Sequence, residues 1–153
     1  MKLQISTSLA LYSVLEFAAS PGRQVSAADI AAKYGVSTHH LAKVLRELVR
    51  ADIIESTRGV GGGYSFRANA KRLTLMDVIE LFEDIGERTG ENRDPVASTG
   101  VGRALGVVLA EIDEIAKATF RSISIDTMLK LIERQRRGAG EKKPSPRKRA
   151  RRG

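Results

Sequence analysis

Residues 25–66 read VSAADIAAKYGVSTHHLAKVLRELVRADIIESTRGVGGGYSF. Ser26 has the pattern of a helix N-cap, with Asp29 three residues on; its hydroxyl can accept from an otherwise unpaired first-turn N–H. The spacing predicts a short helix over 27–34 with Ile30 and Ala31 inward, and Gly35 suits a left-handed C-terminal stop. Only Gly35 and Val36 separate that stop from Ser37, a second N-cap. From about Thr38 to Ala51, Leu41, Val44, Leu45, Leu48 and Val49 recur at the spacing of one helix face. Two helices joined by so short a glycine-containing turn are a helix-turn-helix. Residues 53–57 and 64–66 are short β-like runs, and the glycine-rich 58–63 between them breaks any regular element. Together they predict a hairpin, or wing. The expected fold class is mainly α: a winged helix-turn-helix with a small β-hairpin wing.

Outward from this unit, Ile5 to Ala19 reads as a helix with Leu9, Leu11, Tyr12, Leu15, Phe17 and Ala18 as its apolar residues, ended by Pro21-Gly22. Thr74 caps a fourth helix expected over 75–85, with Asp77 near its positive end. These pieces make a DNA-binding domain over 1–85. Residues 86–103, rich in Gly, Thr, Asn and charge and holding Pro95, are expected to be a loop. Residues 104–122 form a long amphipathic helix in which Leu105, Val108, Leu109, Ile112, Ile115 and Phe120 recur at three or four. It has more apolar surface than a winged domain of this size can cover, so it is read as a C-terminal dimerisation helix. Gly102 and Gly106 add a small-residue face that allows close helix approach. A last short helix over 127–135 turns Met128, Leu129 and Ile132 inward, so that the dimerisation unit spans 104–133. Residues 134–153, rich in Lys, Arg and Pro, are expected to be a disordered basic tail.

Charge follows the same division. The 153-residue chain carries 26 Lys+Arg and 18 Asp+Glu, a formal +8. Residues 1–72 hold +5, residues 73–133 hold −6, and residues 134–153 hold +9. A basic front, an acidic middle and a very basic end point to a polyanion partner, and the tail is expected to add nonspecific DNA affinity. The absence of cysteine excludes a disulfide scaffold, a thiol nucleophile and thiolate-held metal. No apolar run approaches a bilayer's thickness, and no secretory h-region follows Lys2. The expected compartment is the cytoplasm, with no membrane contact. Glu83-Asp84 and Asp113-Glu114 are adjacent on helices and diverge, so they form no general acid–base pair; nothing supports an enzyme.

The candidate site follows from the helix-turn-helix. Ser37, Thr38, His39, His40 and Lys43 occupy the N-terminal end of its second helix, the end that meets base edges in the major groove. Lys43, Arg46 and Arg50 step around the helix and would lie near the phosphate backbone, and Ser26 is counted with the DNA-binding set. His39 and His40 are about 100° apart on a helix, which rules out the i, i+4 manner of holding one metal. Arg58, with Gly59 and Gly61 at a tip without side-chain bulk, can enter a narrow minor groove where the potential is most negative.

These residues carry a resemblance. The opening MKLQISTSLALYSVLEFAA, the segment 25–66, the acidic LTLMDVIELFED and the closing FRSISIDTML together resemble the Rrf2 family of bacterial winged-helix transcription regulators, the group of IscR, NsrR and CymR. The resemblance covers about 1–133, and its most specific piece is the Arg-Gly-x-Gly-Gly-Gly-Tyr wing. HHLAKV looks most like the nitric-oxide-sensing branch. The resemblance implies a homodimer with crossed long helices on a pseudo-palindromic operator, with residues 37–43 in the major groove and Arg58, Gly59 and Gly61 in the minor groove. One departure is decisive. Many members bind an iron–sulfur cluster through three Cys between the fourth and fifth helices; here that loop, GERTGENRDPVASTGVGRA, has neither Cys nor His, and Ser8 stands where some relatives have an acidic ligand. The expectation is a cluster-free, dimeric DNA-binding repressor without cofactor, whose effector, a small molecule or a protein, the sequence does not name. The alternative is a winged-helix module that binds a protein or RNA partner through the acidic half, without sequence-specific DNA recognition.

Overall fold

The structure is a computed structural model, and it describes residues 3–83 and 98–140. Its order is α1 (Ile5–Ala19), α2 (Ala27–Tyr34), α3 (Thr38–Arg50), β1 (Ile54–Thr57), β2 (Gly63–Phe66), α4 (Leu75–Ile79), α5 (Gly100–Ser122) and α6 (Ile125–Gly138). Helix α1 is the hub: it packs against α3, α4, α6 and β2. Its Leu9, Ala10, Val14 and Phe17 meet Leu41, Leu45 and Leu48 of α3, Val78 and Ile79 of α4, and Ile125 of α6 in one buried cluster. The two strands are antiparallel, with Ile54 opposite Phe66 and Thr57 opposite Gly63.

Helices α1 and α2 have the bounds the sequence predicts, and α3 stops one residue short of Ala51. The exit from α3 is a Schellman turn: Ile53 N donates to Leu48 O, Asp52 N to Val49 O, and Asp52 takes the left-handed conformation at φ 57°. This lets Ile53 and Ile54 drop into the core as the chain enters β1.

Each strand starts one residue from its expected position, and three helices depart further from the bounds the sequence predicts. Helix α4 ends at Ile79 instead of 85, because Leu81 N and Phe82 N reach back only three residues, to Val78 O and Ile79 O. The tighter turn carries Phe82 against the core. Residues 84–85 lie outside the described residues, as does most of the expected loop. Helix α5 begins at Gly100 instead of 104, so residues 100–103 of that loop are helical. The cap that sets this earlier start is Thr99, whose Oγ1 accepts from Gly102 N at 3.0 Å. Helix α6 begins at Ile125 instead of 127 and runs to Gly138 instead of 135, so the first residues of the expected tail are helix. Lys130–Asp126 and Arg137–Glu133 pairs at i, i+4 support it, and Arg136 and Arg137 meet its negative end. The remaining tail, 141–153, lies outside the described residues.

The arm made by α5 and α6 is sewn to the segment that follows the wing. Leu75 N donates to Ile123 O, Ile125 N to Leu73 O and Asp126 N to Ala70 O, all at 2.8–2.9 Å. Arg121 of α5 faces Glu80 at 3.4 Å. Among the described residues, no helix is long and apolar enough to cross a membrane.

Candidate nucleic-acid interface

The turn between α2 and α3 is built as its residues dictate. Ser26 Oγ accepts from Asp29 N, and Ser37 Oγ accepts from His40 N, each at 3.1 Å. Gly35 sits in the left-handed region at φ 65°, ψ 36°, and Val36 N closes onto Ala31 O. Both serines of the DNA-binding set therefore serve the fold as well, since each fixes the start of one helix of the motif. Ser37 and Thr38 stay exposed beside that cap, while Ser26 is half-buried.

Helix α3 buries Leu41, Val44, Leu45 and Leu48. At about 100° per residue, His39, Lys43, Arg46 and Arg50 fall on the line diametrically opposite, one above the other at i, i+4, i+7 and i+11. All four are exposed. The expectation that Lys43, Arg46 and Arg50 step around the helix is thus corrected: they continue the row that His39 begins. Arg50 leans on Glu47 at 3.3 Å, an exposed pair of little strength. His40 does not join the row. It lies about a quarter-turn away, half-buried, with its Nε2 covered and without a hydrogen-bond partner among the described residues.

The wing presents Arg58, Gly59, Val60 and Gly61, all exposed. Gly59 and Gly61 have φ of 99° and 76°, values that L side chains rarely adopt. Two further glycines are needed for a different reason. A Cβ at Gly62 would stand 2.2 Å from Thr57 O, and one at Gly63 would stand 2.7 Å from Val25 O. The sequence displays the glycine run without separating these two roles, and it gives no sign of what Val25 does. That residue exchanges hydrogen bonds with Tyr64 at 2.8 and 2.9 Å and so fastens the base of the wing to the segment entering α2. Gln24 Nε2 adds a 3.4 Å contact to Thr57 Oγ1. Alternating polarity around residue 25 is too short to mark a bridge of this kind. Val60 is a further residue that sequence reasoning misses: it is fully exposed at the tip, an apolar side chain between two glycines.

The arrangement is a capped helix with one basic row and a glycine-tipped hairpin fixed beside it, the parts a protein needs to meet a duplex in adjacent grooves. The profile of the Rrf2 family, described as an iron-dependent transcriptional regulator, matches residues 3–131. The chain belongs to the Rrf2 family. It is a DNA-binding transcription regulator with the family's winged-helix fold. A Rhodopseudomonas palustris protein, BadM, classed by its name as an HTH-type transcriptional regulator, is 58% identical over 139 residues, which is 90% of this chain and 86% of BadM. Protein aau3 of Rhizobium meliloti is 36% identical over 84 residues, 55% of this chain and 54% of that protein. Two solved structures share the fold: CymR, the global cysteine regulator of B. subtilis, with a TM-score of 0.69 at 22% identity over 86% of this chain and 98% of that one, and T. potens IscR, with a TM-score of 0.64 at 20% identity over 95% and 94%.

The family's iron does not fit this member's donors. The chain has no cysteine, and its two histidines are adjacent on α3. One belongs to the exposed row and the other is half-buried on its flank. Among the described residues no three His, Asp or Glu side chains are grouped to hold a metal ion.

The expected dimerisation set divides. Leu105, Val108, Ile112 and Ile115 are each more than half exposed, as is Val101. They form one stripe at i, i+4, i+7, i+11 and i+14, a heptad-like seam. Leu109 and Phe120 lie on the neighbouring face, half-buried, and Phe120 packs onto the core of its own domain. Leu109 and Phe120 therefore lie off the exposed seam, about a quarter-turn around α5.

Proposed function

We propose that this protein is a sequence-specific repressor that binds a pseudo-palindromic operator as a homodimer, without an iron–sulfur cluster. The observation that carries the reading is the exposed row His39, Lys43, Arg46, Arg50 opposite the buried face of α3. In this reading Ser37, Thr38, His39 and Lys43 meet base edges, while Arg46 and Arg50 meet phosphates. Arg58 enters the minor groove, with Gly59 and Gly61 allowing the backbone to approach. Phosphate contacts supply most of the affinity and make it fall with salt; base contacts set the site.

The homodimer follows from the apolar seam of α5. Helix α5 has no fully buried residue, and a seam of this length left in water is unfavourable by roughly 25 cal/mol per Å2 of apolar surface. A second copy covers it with a matching seam and doubles the reading heads, so that two half-sites are read at once. Repression then needs only occupancy of a promoter. The chain's place is the cytoplasm, where its DNA is.

Gel shifts on the DNA upstream of the protein's own gene test the site. His39→Ala is expected to lose about 1–3 kcal/mol of specific binding, the usual worth of a base contact, and Arg58→Ala to weaken it as well. Unchanged affinity in both variants would contradict the assignment.

A further inference from the structure

Between α1, α2 and α6 lies a groove of about 1180 Å3, and neither the basic row nor the wing lines it. Small-molecule sites run to roughly 300–1,000 Å3, so it has room for an organic ligand. Leu129 and Ile132 of α6 supply apolar wall. Opposite them Tyr12 and Tyr34 stack, with ring centroids 5.0 Å apart and planes at 12°. Stacking covers one face of Tyr12 and leaves the residue 47% exposed.

The charged groups of the groove are unevenly committed. Glu16 accepts from both Lys33 Nζ and Tyr34 OH. Burial pushes its carboxyl up, but these two bonds and the charges of Lys33 and Arg136 outweigh that and hold it below the usual carboxylate range. Arg137 is paired with Glu133. Arg136 has no ion-pair partner among the described residues and acts on Glu16 only through space. The groove therefore offers apolar wall, an open aromatic face and one guanidinium without an ion-pair partner among the described residues, whose planar fork matches a carboxylate or a similar oxyanion.

We propose that this groove binds a small organic anion with a flat apolar body, its ring against Tyr12 and its anionic head on Arg136, and that the ligand regulates DNA binding. The regulatory half rests on the DNA-binding reading above. Helix α2 is the first helix of the helix-turn-helix, and α6 continues from the dimerisation helix. A ligand held between them joins the reading head to the arm that spaces it from its partner. If the arrangement that fits DNA and the one that fits the ligand differ, each binder shifts the affinity of the other by the same factor.

The test titrates the full chain, without DNA, with anilinonaphthalene sulfonate, a flat fluorescent anion. One saturable site per chain is expected. Arg136→Gln, at an exposed position, weakens it roughly tenfold, the worth of one charge-assisted hydrogen bond, and Tyr12→Ala weakens it too. Lys71→Gln, at an exposed position outside the groove, the seam and the α3 row, leaves it unchanged. Equal binding to wild type and Arg136→Gln, or loss in Lys71→Gln instead, overturns the site. In a second arm, saturating probe changes operator affinity by about 5–150-fold; probe binding with unchanged operator affinity overturns the regulatory half. The first arm contains no DNA, so its failure is distinct from failure of the DNA-binding reading.

Discussion

Gly35 and Gly62 look alike in the sequence and differ in what they permit. Gly35 has φ 65° and nothing within 4 Å of a built Cβ. Gly35→Ala therefore meets a backbone penalty alone, about 1–2 kcal/mol, read as a Tm lower by several degrees with operator binding retained below the transition. At Gly62 the obstacle is Thr57 O, 2.2 Å away, with Gly59 O at 2.9 Å. Gly62→Ala must reshape the exposed tip, so the expected outcome is a small change in Tm and roughly a tenfold loss of operator affinity, the scale of one good base contact. Thermal melts and gel shifts on the two variants check the contrast; the opposite pattern would contradict the roles given to them. The adjacent histidines divide in the same way. Sequence position puts both at the helix start, and only packing separates the exposed His39 from His40, whose Nε2 is covered.

Among the elements, the short-range signals are legible in the sequence and the long-range ones are not. Caps at Ser26, Ser37 and Thr74 are readable because the acceptor and its N–H are three residues apart. The early end of α4, the packing of Phe120 onto the core and the Val25–Tyr64 bridge depend on tertiary packing, which periodicity does not encode. Two predictions belong here. Ile112→Asp places a charge in the middle of the α5 seam and is expected to give a monomer by light scattering while the winged domain stays folded; an undiminished dimer mass would contradict the seam. The Glu16 cluster joins α1 to α2. Its carboxyl is held below its ordinary value of 4.5, so the folded state binds that proton less readily than the unfolded chain. The stability it contributes is present above that value and is lost as pH falls below it. Glu16→Gln should flatten the acid side of the Tm-against-pH curve, and an unaltered curve would show that Glu16 contributes no such stability.

On the scale of the molecule, charge and apolar surface are segregated. The basic front carries the reading helix and wing, while residues 73–133 are acidic and carry the apolar seam. In the proposed complex this division of charge favours approach of DNA to the front rather than to the seam. Residues 134–153 carry +9 against −1 for residues 1–133, so they account for the whole formal +8, and only their first five belong to α6. The family and its wing are legible from residues 25–66, and so is the lack of a cysteine ligand; the groove between α1, α2 and α6 is not, because its walls come from three separated segments. Everything proposed for DNA binding depends on sequence-specific recognition by a dimer that needs no iron. The decisive measurement is selection of bound fragments from random DNA, with the protein purified and assayed in a strong iron chelator. One pseudo-palindromic motif is expected, with half-sites about one helical turn, or a multiple of it, apart; recovered DNA without a shared motif, or a motif that appears only when iron is supplied, would contradict it.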